Sequence, residues 1–224
     1  MLHEIVQITL CFSIIDRVLS YYKWEGVYYI LHAIHNAIIT ILTLPDVVHT
    51  ITDIHRIEQH SANWNAILVC ASLHFYHTLL YWRTFRYDDW LHHGLMIGIA
   101  LPLCVLYEAH TLIGMTFFFT TGLPGGIDYV MLSLVKNERM DRMVEKRINT
   151  LLNVWIRSPG CVAVTIIGIA LHASSPAGLF TVKSLANNIA GLLTFWNGQY
   201  FMRQVVENYA ILKIEGQRTS GPKA

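Results

Sequence analysis

Residues 90–136, WLHHGLMIGIALPLCVLYEAHTLIGMTFFFTTGLPGGIDYVMLSLVK, decide how the rest of the chain is read. The stretch opens with His92 and His93 at the head of an apolar run, turns at Tyr107–Thr111 and enters a second apolar run. That second run is interrupted at Leu123-Pro124-Gly125-Gly126 and resumes with Asp128-Tyr129, still inside apolar sequence. Two histidines, an aspartate and a Pro-Gly-Gly sequence are costly to place in a nonpolar medium. Residues held against such a cost are candidates for function.

Composition supports a nonpolar medium. The chain has 224 residues, 54% of them hydrophobic and only 14% charged, with a mean hydropathy of +0.41. Soluble domains carry about 25% charged residues. The net charge of +1 argues neither for nor against an acidic partner, and with no basic face in the sequence no nucleic-acid partner is expected. Cys11, Cys70, Cys104 and Cys161 lie in apolar runs without a CxxC spacing, as small buried hydrophobes do. The start MLHEIVQITLCFSIIDRVL lacks a basic leader and a small-residue cleavage site, so it reads as a retained first span. The ending GQRTSGPKA reads as a polar tail.

The predicted fold is all-α and polytopic, with about seven membrane spans around a central cavity and the fifth broken at Pro124-Gly126. Spans of about 20 residues are expected over Leu2–Leu19, Val27–Leu44, Asn65–Trp82, Trp90–Tyr107, Thr111–Val135, Cys161–Ala173 with its flanks, and Leu179–Phe201. Lysine and arginine test this count, because cytoplasmic loops collect them. Thirteen of the 16 fall on one side, Arg56 alone on the other, and Arg17 and Lys183 within spans. The N-terminus is therefore expected outside and the C-terminus in the cytoplasm. Two polar segments read as membrane-surface elements. Asp46, His49, Asp53, His55, Glu58 and His60 could ligate zinc, but no HxxxH spacing fixes two ligands on one face. Val47, Ile51, Ile54 and Ile57 instead suggest an interfacial amphipathic helix. Lys136–Arg147 reads as a solvated helix, with Arg157-Ser-Pro-Gly marking re-entry into the bilayer.

Span position converts to depth at about 1.5 Å per helical residue. On that scale His32, His35, His77, His92, His93, Asp128, Tyr129, Asn197 and Gln199 fall in the cytoplasmic half, with His74 nearer the middle. His32/His35 and His74/His77 are i, i+3 pairs, each on one helix face. Facing lipid costs an ionisable group at least about 2.5 kcal/mol, so these side chains should turn inward to form a pocket open to the cytoplasm. A helix restarting at Ile127 would aim its positive end into that pocket. Tyr21, Tyr22, Trp24, Tyr28, Tyr29, Tyr81, Trp82 and Trp90 read as an interfacial aromatic belt.

Several segments together resemble the TLC-domain family, the membrane proteins that include ceramide synthases and lipid-handling relatives. They are Trp24 with the following VYYILHAIHNAII, then LHFYHTLLYW, WLHHGLMIG, GIDYVMLSLVK and TFWNGQYFMRQVVE. The chain departs from the family at Tyr76-His77, where relatives have Tyr-Asp. It departs again at Pro124-Gly125, where ceramide synthases place a His-Asp pair, and at Leu132, where they place Glu. The resemblance implies an N-terminal span over 1–23, a TLC-like helical domain over 24–209 and a cytoplasmic tail over 210–224. It also implies an endomembrane location such as the endoplasmic reticulum, and a membrane lipid as ligand. If the chain is an enzyme, the implied reaction is acyl transfer, with acyl-CoA as donor. His92 or His93 would then be the base and Asp128 its orienting partner. His32, His35, His74, His77, Tyr129, Asn197 and Gln199 would line the pocket. No cofactor and no metal is expected. The alternative is a non-catalytic lipid sensor, transfer protein or structural subunit, alone, as a homo-oligomer or in a membrane complex.

Overall fold

The computed structural model describes residues 2–107, 111–174 and 180–220. Every regular element among them is helical. The helices join into seven rods: α1 (Leu2–Tyr21), α2 (Val27–Thr52), α3 (Trp64–Tyr81), α4 (87–106), α5 (Thr111–Lys136), α6 (Arg142–Ser174) and α7 (Val182–Ser220). Of these, α2, α5 and α6 are long and apolar enough to cross a membrane, which makes the protein membrane-embedded.

The rods run further than the sequence suggests. Pro45 lies inside α2 without ending it, and that helix continues to Thr52. A 3₁₀ segment, Ile54–Gln59, follows; Val47 and Ile57 are buried while Ile51 and Ile54 are exposed, so the four do not share one interfacial face. The segment expected as a solvated helix becomes the first turns of α6. Asp141 caps that helix through the amides of Met143 and Val144, and Glu145 is fully buried. The expected polar tail extends α7 as helix through Ser220. The turn expected at Tyr107–Thr111 lies largely outside the described residues.

Pro124-Gly125-Gly126 does not break α5, and no helix restarts at Ile127. The chain widens instead into a π-helical segment, Phe118–Gly122, just before the proline. The same happens twice more: Met96–Ala100 precedes Pro102 in α4, and Asn153–Arg157 precedes Pro159 in α6. A proline inside a helix lacks an amide hydrogen, and its ring collides with the carbonyl four residues back. One wide turn moves that carbonyl aside and keeps the rod continuous.

α2 is the hub, packing along α5 and against α3 and α1, while α6 lies along α7. Close approach is built in: a Cβ on Gly114 of α5 would collide with the carboxylate of Asp46 in α2. Asp16, a charge inside the first expected span, is buried and accepts a 2.9 Å hydrogen bond from the Tyr81 hydroxyl of α3. The loop after α1 and the turn after α5 meet at one end of the bundle. Asn137 Nδ2 donates to the Glu25 carbonyl at 2.9 Å, Trp24 Nε1 donates to Ser133 Oγ at 3.2 Å, and Arg139 lies over the Trp24 ring. α4 is the loosest rod, touching α7 through its last turns.

Candidate functional site

A cavity of about 630 Å³ lies between α2, α3, α4, α5, α6 and α7. It extends from Gln204 to Asn187 along α7, about 25 Å at helical rise. Its middle is apolar, with Leu73, Met96, Leu101, Ile113, Phe117 and Val164 in its walls. His32, His35, His74 and His77 line it, as do His92, His93, Asp128, Tyr129 and Asn197. Gln199 does not; its amide donates to Ser158 Oγ at 2.9 Å, joining α7 to α6. Each of the three wide turns faces the cavity, through Met96 and Ala100, through Thr120 and Thr121, and through Arg157.

The aromatic rings form one stacked group. His32 stands 4.4 Å from both His77 and Tyr129, ring centroid to centroid, and Tyr28 lies 4.0 Å from His32 and 5.0 Å from His77. Tyr28 and Tyr29 therefore belong to the cavity wall, and the Tyr81 hydroxyl is held by Asp16. Tyr21, Tyr22, Trp82 and Trp90 are exposed, as a belt requires.

Hydrogen bonds set the imidazole tautomers, because a carbonyl only accepts. His93 Nδ1 lies 2.8 Å from the Asp89 carbonyl and carries the hydrogen, so its Nε2, buried and without a partner, presents a lone pair. His74 Nδ1 is 2.7 Å from the Cys70 carbonyl, so its Nε2 is also an acceptor. His92 Nε2 lies 3.1 Å from that acceptor and must donate to it when both rings are neutral. The two adjacent histidines thus differ: His92 spends its Nε2 hydrogen on His74, and His93 keeps an open base.

Asn36 and Arg157 form the polar junction opposite. Asn36 Oδ1 accepts from His35 Nδ1 at 2.7 Å and from Thr121 Oγ1 at 2.8 Å, which leaves His35 Nε2 as an acceptor and Asn36 Nδ2 buried and unpaired. Arg157 lies over the Phe201 ring and ends a ladder along α6. Its Nη1 donates to Asn153 Oδ1 at 3.1 Å, Asn153 Nδ2 donates to Asn149 Oδ1 at 2.6 Å, and Asn149 Nδ2 donates to Glu145 Oε1 at 3.2 Å. Lys146 Nζ pairs with Glu145 Oε2 at 3.0 Å. Arg157 Nε, Asp128 Oδ1 and Asn197 Oδ1 remain buried without partners. Such atoms cost about 1–3 kcal/mol each when nothing satisfies them, so an occupied cavity is favoured over an empty one.

Arg157 and Asn36 are absent from the sequence-derived site. Arg157 reads as a loop base because cytoplasmic arginines normally are, and the continuity of α6 through Pro159 is what carries it inward. Asn36 had a usable signal, an amide at membrane depth directly after His35. Among the described residues no three His, Cys, Asp or Glu side chains converge on one metal position. In the loop, His49 and His60 stack at 4.9 Å and His60 lies 3.8 Å from Asp53. No protein-family model, curated protein or solved structure matches the chain.

Proposed function

We propose that this is a TLC-like membrane protein with seven spans around its cavity, binding or modifying a membrane lipid there from the cytoplasmic side. One observation carries this reading: an apolar cavity about 25 Å long whose inner wall holds buried polar atoms lacking any protein partner. A chain of methylenes fills the apolar part and a polar head answers the unpaired atoms. The lysine and arginine distribution supports an N-terminus outside and a C-terminus in the cytoplasm. The junction of the loop after α1 with the turn after α5 agrees with that arrangement.

As an acyltransferase the protein would use His93 Nε2 to take the proton from an attacking hydroxyl or amine, with an acyl-CoA thiolate leaving. His92 would act through His74, and Asp128 would face the developing charge. The replacement of the family's His-Asp pair by Pro124-Gly125 favours a second reading, in which the cavity holds lipid without chemistry. Lipidomics on the purified protein tests the shared part: a stoichiometric lipid is expected, and its absence would sink both. Incubating that complex with acyl-CoA separates them. Acylated product that disappears in the His92→Ala/His93→Ala double variant supports the enzyme; lipid recovered intact supports the carrier.

A further inference from the structure

Two donors lie side by side at the cavity wall. A Cβ built on Gly125 would lie 2.7 Å from Asn36 Nδ2 and 3.4 Å from Arg157 Nη2, so the two nitrogens sit side by side against that glycine, and both residues line the cavity. Asn36 Nδ2 and Arg157 Nε are both buried and unpaired. The acceptors stand apart from them: His93 Nε2, Asp128 Oδ1 and Asn197 Oδ1 are unpaired too. Arg157 and Asp128 both line the cavity. The remaining charges on the wall sit at the mouth and are engaged: Asp89 accepts from the Arg86 amide at 2.9 Å, and Asp88 accepts from the Tyr200 hydroxyl at 3.2 Å.

We infer that Asn36 and Arg157 form a subsite for the carbonyl oxygen of an uncharged, ester- or amide-linked acyl lipid, whose hydroxyl or N–H groups answer the opposing acceptors. A carbonyl oxygen takes two donors without adding charge to a low-dielectric space. Bonds from a guanidinium are the stronger class, so the carbonyl should dominate the selectivity. This inference rests on the lipid-binding reading above and deepens it.

The test compares monoolein with its ether counterpart, oleyl glycerol ether, and with oleate, titrated against the purified full chain in detergent and followed by native mass spectrometry. Monoolein should bind about tenfold tighter than the ether, the loss expected for one carbonyl bonded to a charged donor. Asn36→Leu and Arg157→Gln should each bring monoolein down to the ether's affinity and leave the ether unchanged, while Arg157→Lys keeps part of the difference. Equal binding of ester and ether by the unsubstituted protein overturns the carbonyl subsite and leaves lipid binding standing; that comparison needs no variant to fold. Oleate binding more tightly than monoolein overturns the uncharged class. Failure of all three to bind overturns the lipid reading itself.

Discussion

His92 and His93 are neighbours in sequence with opposite hydrogen-bonding assignments, and that difference is measurable. Once a processed lipid is known, His93→Ala should lower turnover by about 10²–10⁴-fold, the range for a lost general base. His92→Ala and His74→Ala should resemble each other and cost less. A His92→Ala defect equal to that of His93→Ala would reverse the assignment. Gly125 and Gly126 differ in the same way. Gly125→Ala brings a methyl to 2.7 Å from Asn36 Nδ2 and should cost about 1–3 kcal/mol by overpacking. Gly126→Ala meets nothing closer than 3.5 Å and should leave the thermal midpoint nearly in place. The candidate histidines were legible because each is expensive in lipid. Arg157 was not, because a base near a predicted span end is ordinarily solvated and only the path of α6 shows otherwise.

At the scale of helices, the informative failure of sequence reasoning is Pro124-Gly125-Gly126. Rules drawn from the penalty of proline in an α-turn predict a break, whereas a wider turn two residues earlier absorbs the penalty. Pro124→Ala should therefore leave helical content unchanged by circular dichroism; a clear gain in helicity would mean there had been a break to heal. The ladder on α6 makes a second prediction. Glu145→Ala removes the acceptor of both Asn149 and Lys146 in a fully buried position and should destabilise the protein by about 1–3 kcal/mol. Charge counting alone placed that residue in solvent, since three acids among five bases look like a surface. Its burial comes with the packing of the first turns of α6 against α7 and α5, which no local pattern reports.

For the whole molecule, the apolar runs and the basic loops were the readable part, because burial of backbone in a nonpolar medium forces long helices with charge between them. In a cysteine-free background sealed in vesicles, single cysteines replacing Glu25 and Glu138 should label from the same side and one replacing His55 from the other. Opposite labelling of the first two would contradict the bond between Asn137 and Glu25. The three wide turns carry a further consequence. Each spends one residue more than a regular turn, and so acts as a phase shifter between the two halves of its rod. Tightening Phe118–Gly122 into regular α-turns with no residue removed would leave a sound helix yet rotate its halves by about 100° relative to each other. Asp128 would then point away from Arg157 with every peptide bond still in place.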